Sequence, residues 1–119
     1  MADGALFIGW GEVVRGREAK SLEVFNEAVQ YWGSLQQAGT IESFDVVILH
    51  PHGGDLAGFA LAKGDEQKLH ALLSDADFQR INARAQFVVD RVGVVPGFYG
   101  DSLTRGMATF QAQIADLGG

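Results

Sequence analysis

The chain has 119 residues, no cysteine and a formal net charge of −6, with 47% hydrophobic and 20% charged residues. That length and balance fit one globular domain with its own core, and they exclude disulfides, a cysteine nucleophile and thiolate metal ligation. The nine basic residues are scattered, so there is no phosphate-neutralising surface of the kind that nucleic acids and anionic membranes require.

The first stretch, "MADGALFIGWGEVV", has no basic residue before Arg15 and no long apolar segment, so no secretory signal is read there. No run approaches the ~20 apolar residues that span a bilayer, and a cytoplasmic protein is expected. Ala5 to Val14 is apolar and aromatic and predicts a strand. Gly9 and Gly11 flank Trp10, and glycine inside a strand marks a bulge or a close approach; here the pair would leave space beside a large ring. From Glu18 to about Gln37 the period changes. Leu22, Phe25, Val29 and Trp32 recur at helical spacing, and Gly39 is placed to stop the helix.

Ile41 to His50 and Asp55 to Lys63 predict two further strands, joined through Pro51, His52, Gly53 and Gly54 as a hairpin or slightly longer turn. "GDEQKLHALLSDADFQRINARA" predicts a broken helix. Asp65 would cap its first part and Ser74-Asp75 would restart it. Ala85 to Val95 predicts a fourth strand ended by Pro96 and Gly97. Asp101 or Ser102 would cap a last helix, about 101–117, whose residues Leu103, Met107, Phe110, Ile114 and Leu117 form a narrow stripe closed by Gly118. That stripe is expected to lie in a groove on its own or a partner protomer.

The order β-α-β-β-α-β, followed by one helix, predicts an α+β fold of the split β-α-β, ferredoxin-like kind, in a single domain over 1–119 with its core at about 5–96. Alternate residues are apolar on both sides of the strands, as in Leu6, Ile8 and Trp10 against Phe7. A sheet with one wet face would alternate apolar with polar. Both faces therefore ask for cover, and a second copy of the chain is the expected cover for the face without helices.

The element order, the doubly apolar strands and the segments "VFNEAVQYW", "IESFDVVILHPHGGDLAGF" and "VGVVPGFYG" resemble the dimeric α+β barrel superfamily over roughly Leu6 to Val95. The resemblance implies two ferredoxin-like sheets packed face to face between protomers. That superfamily holds cofactor-independent monooxygenases of aromatic polyketides, haem-degrading enzymes, muconolactone isomerases, chlorite dismutase-like enzymes and non-enzymatic ligand-sensing domains. No catalytic motif accompanies the branch these segments resemble, and fold alone does not choose an activity.

The candidate ligand-binding residues are Trp10, Trp32, His50, Arg91 and Tyr99. The tryptophans and Tyr99 belong to an aromatic set, with Phe44, Phe59 and Phe98, that suits either a core or the wall of a small-molecule site. His50 and His52 flank Pro51. They read as turn residues bonded to the local backbone, as contacts to an organic ligand, or, with Asp55, as metal ligands. The turn reading is preferred, with His50 nearer the pocket and His52 more exposed. His70 reads as a helix-surface residue. Asp45, Asp90 and Arg91 are charges inside predicted strands. Such charges are solvated at an edge, paired between subunits, or turned to a cavity where Arg91 could hold a carboxylate.

No Walker loop, Gly-x-Ser-x-Gly elbow or His-Glu-x-x-His is present, and neither a cofactor nor a metal is indicated. The expected function is a homodimer that binds a small apolar or aromatic molecule in an aromatic-lined pocket, with no nucleic acid or membrane as partner. The alternatives are a cofactor-independent monooxygenase or isomerase acting on an aromatic or enolisable substrate, and a non-catalytic interaction domain.

Overall fold

The computed structural model describes residues 2–118. In chain order the elements are β1 (Gly4–Trp10), α1 (Glu18–Gln37), β2 (Ser43–Ile48), β3 (Gly58–Gly64), α2 (Glu66–Leu72), α3 (Ala76–Gln86), β4 (Gly93–Phe98) and α4 (Asp101–Leu117). The strands form one sheet in the order β2-β3-β1-β4, antiparallel at every step. This is the ferredoxin-like α+β fold.

The sheet's helix side is built by period-two alternation. Leu6 and Ile8 of β1 lie opposite Ala62 and Ala60 of β3. All four are buried with Trp32 of α1, Leu69 and Leu72 of α2 and Phe78 of α3 in one core. The small Ala60 and Ala62 leave room for the large helix residues. Asp65 caps α2 by accepting from the Lys68 N–H, and Asp75 caps α3 by accepting from the Phe78 N–H, so the restart at Ser74-Asp75 is present. Glu27 of α1 holds α3 through Arg80 at 3.2 Å and Arg84 at 3.1 Å. The stripe on α1 is rotated from the expected one: Leu22 is 66% exposed, while Val24 is buried beside the core.

The fourth strand lies later than its sequence predicts. The helical backbone runs on to Gln86, and Val89 makes only an isolated bridge with Val13. The strand begins at Gly93 and carries Pro96 within it. Proline is tolerated there because β4 is an edge strand, where its missing N–H costs no second ladder. Asp90 and Arg91 are consequently not strand residues but belong to the segment that precedes β4. The last helix also starts differently. Its N-cap is Gly100, at φ 62°, and Ser102 turns back, accepting from the Tyr99 N–H at 2.9 Å and donating to the Tyr99 carbonyl at 3.0 Å. Gly118 ends the helix in the left-handed region as expected.

The other side of the sheet carries Phe7, Phe59, Leu61, Val47 and Val95, with Phe7 and Phe59 stacked at 5.3 Å between centroids. No helix covers it. The α4 stripe is likewise uncovered by its own protomer: Leu103, Met107, Phe110, Ile114 and Leu117 are all at least 45% exposed.

Candidate functional site

Two recesses flank the segment that joins α3 to β4. The first is a cavity of about 90 Å³ between the sheet and helices α1 and α3. Ile8, Trp10, Val46 and Ala60 form its floor, Val24, Phe25, Ala28, Val29 and Trp32 one wall, and Ile81, Asn82, Ala85, Val88, Val89 and Val92 the other. No lining side chain carries a charge.

Packing fixes the two tryptophans. Trp32 stands perpendicular to Phe78 at 5.7 Å and at 70° to Tyr31 at 6.0 Å, geometries that aromatic quadrupoles favour. Tyr31 is itself anchored by its phenol, which donates to Asp75 at 3.3 Å. Burial and the adjacent Asp75 push that phenol up to about 12. Trp10 meets Phe25 edge-on at 6.3 Å.

The space for the Trp10 ring does not come from its flanking glycines. A Cβ at Gly58, its cross-strand partner, would lie 2.8 Å from the indole Cζ2. Gly9 and Gly11 serve other contacts. A Cβ at Gly9 would strike Phe7 and Leu56, and one at Gly11 would lie 3.0 Å from the carbonyls of both Asp55 and Asp90. Gly11 is thus the point where the 49–57 loop and the 88–92 segment close on β1. The Gly11 N–H donates to the Asp90 carbonyl and the Asp90 N–H to Glu12.

The second recess, about 490 Å³, lies beyond that pinch and is polar, lined by Glu12, His50, His52, Asp55, Asp90 and Arg91 among others. His50 sits here and not in the apolar cavity. Val46 still reaches the cavity, but Ile48 is already 60% exposed, so the strand has run past the helix layer before His50. His52 is a turn residue: its Nδ1 accepts from the Gly54 N–H at 3.2 Å, which leaves Nε2 to donate to the Leu56 carbonyl at 2.8 Å. Both histidines are exposed. Arg91 adopts φ 57° and lies 3.5 Å from Asp55, both side chains largely in solvent. Among the described residues no three His, Asp or Glu side chains converge to hold a metal ion.

The five candidates therefore separate into three places. Trp10 and Trp32 share the cavity, His50 and Arg91 share the polar cleft, and Tyr99 stands at the far end of β4 with the Lys63 ammonium 4.9 Å over its ring. Sequence reasoning missed Asn82, which lines the cavity. Its signal was present: Phe78, Ile81, Asn82 and Ala85 follow a helical apolar period with one amide inside it.

No protein-family model and no curated protein matches the chain. Solved structures do share its fold. An EthD family protein from Bacillus halodurans superposes with a TM-score of 0.63 at 10% identity, covering 84% of this chain and 100% of its own. A dimeric ferredoxin-like protein of unknown function from Bacteroides fragilis gives 0.59 at 10% identity, over 81% and 96%. SnoaB, a cofactor-independent oxygenase from Streptomyces nogalater, gives 0.55 at 15% identity, over 83% and 95%. At such identities the likeness establishes the fold, and the chemistry rests on this chain's own residues.

Proposed function

We propose that the protein is a homodimeric binding domain that takes a small, largely apolar molecule into the cavity between its sheet and helices. The observation that carries this reading is the cavity itself, with Trp10 and Trp32 in its wall and no charged group in its lining. Small-molecule sites combine an apolar wall with few polar groups in this way. The second copy is supported by the uncovered sheet face. Its aromatic and aliphatic residues form a continuous apolar surface of the kind soluble monomers keep to a few hundred Å², and the Bacteroides fragilis neighbour is a dimer. Among the described residues no helix is long and apolar enough to cross a membrane.

The enzymatic alternative draws on SnoaB, the cofactor-independent oxygenase that shares this fold. Proton abstraction from an aromatic or enolisable substrate needs a base within hydrogen-bond reach. The cavity lining holds no titratable side chain, so binding without turnover is the better-supported reading. A thermal-shift screen of single-ring compounds, with sedimentation of the free protein, tests both parts. Saturable stabilisation by apolar rings and a dimer at micromolar concentration are expected. A stable monomer that no such ring stabilises would remove the reading.

A further inference from the structure

We infer that the cavity selects a neutral, single-ring ligand bearing one hydroxyl or carbonyl group, and that the Asn82 amide reads that group. This rests on the cavity's being a ligand site and narrows what it accepts. Size sets the first limit. A dry cavity of about 150 Å³ takes up one benzene, so a cavity of about 90 Å³ admits at most one ring, part of which stays at its mouth. Charge sets the second. With no charged side chain in the lining, an ionised group at the mouth would give up part of its hydration without gaining a counter-charge. Arg91, the cation that sequence offers for a carboxylate, lines the other recess and faces Asp55.

Only two polar side chains of the serine and amide types line the cavity, Ser21 and Asn82. The Ser21 hydroxyl proton is committed to the Glu18 carbonyl at 2.7 Å, which leaves that oxygen only as an acceptor. Among the described residues the Asn82 amide has no hydrogen-bond partner, and neither of its polar atoms is sealed from solvent. It therefore offers both a donor and an acceptor. The indole N–H groups of Trp10 and Trp32 donate only, so they cannot take a ligand's hydroxyl proton. Asn82 and Val92 also line a surface groove over Phe78, Gln79 and Val94. The amide thus stands at the mouth, where a ring's polar end is left as its apolar body enters.

Calorimetric titration of the full chain with toluene, phenol and benzoate, on wild type and on Asn82→Leu and Asn82→Ala, tests this. Phenol should bind about three- to tenfold more tightly than toluene, the worth of one neutral hydrogen bond, and benzoate most weakly. Both variants should lose the preference, read as the ratio of the phenol and toluene dissociation constants in the same protein; the second variant guards against a misfolded first. A preference for phenol that survives both substitutions would remove Asn82 as the reader while leaving the cavity a ligand site. Benzoate binding more tightly than phenol would overturn the neutral-ligand class. Failure of all three ligands to bind wild type would overturn the ligand-site reading, and this inference with it.

Discussion

The two faces of the sheet are made from alternate residues of the same strands, yet they have different fates. On one, Leu6 and Ala62 are at most 1% exposed beneath three helices. On the other, Val95 is 55% and Val47 37% exposed, around the stacked Phe7 and Phe59. Their chemistry is nearly the same. Apolar patterning therefore fixes that a face must be covered, and connectivity decides whether the chain's own helices cover it. The covered face also holds the cavity, because Ala60 and Gly58 are small where Trp10 and Trp32 are large.

Substitutions on the two faces should separate in kind as well as size. Leu6→Ala, at a fully buried position, should lower unfolding stability by about 2–5 kcal/mol, read by urea denaturation. Its effect should persist at every protein concentration. Val95→Asp, on the open face, should weaken self-association at least roughly tenfold, since a charge at an apolar interface loses hydration without a partner. Its stability loss should shrink on dilution, because mass action has less dimer to remove. Sedimentation of that variant as an unaltered dimer would place the interface elsewhere, with the α4 stripe the next surface to substitute.

Smaller effects sharpen how the covered face is held. Asp75→Ala removes the α3 cap and the acceptor of the Tyr31 phenol together, and should cost about 1 kcal/mol in the same urea assay. Tyr31 adds a pH signature. Its folded phenol is raised to about 12, while an unfolded tyrosine ionises near 10. Its contribution to stability is therefore complete below about pH 10 and is lost as pH rises through about 12. Wild type should lose stability more steeply than Tyr31→Phe across that window, and parallel slopes would contradict the raised phenol. The smallest effect belongs to Arg91, whose φ of 57° is unusual for a side chain with a Cβ. Arg91→Gly relieves that strain and breaks only an exposed ion pair worth little, so it should raise stability by up to about 1 kcal/mol.

Much of this architecture was legible in the sequence, for reasons that differ by element. The caps at Asp65 and Asp75 and the stops at Gly39 and Gly118 are local chemistry, and each appears where the residue type demands. The fourth strand was misplaced because Val88, Val89 and Val92 have strand-like composition but serve as cavity wall. Pro96, read as a terminator, is admitted by an edge position that only the assembled sheet reveals. The candidate site was half legible. Trp10 and Trp32 do line one cavity, whereas His50 and Arg91 were grouped with them only by nearness in a pattern. The left-handed turn at Arg91 and the exit of β2 beyond Ile48 carry both into a different recess.

The cavity can be interrogated from within, because the chain's two tryptophans, Trp10 and Trp32, both line it. Titrating isotope-labelled protein with phenol, and following the two indole N–H resonances by nuclear magnetic resonance, reads the site without a mutation. Both resonances should move and saturate together with one dissociation constant. Unmoved indole resonances, with shifts confined to the amides of the 49–57 loop, would place the ligand in the polar cleft and contradict the cavity as the site.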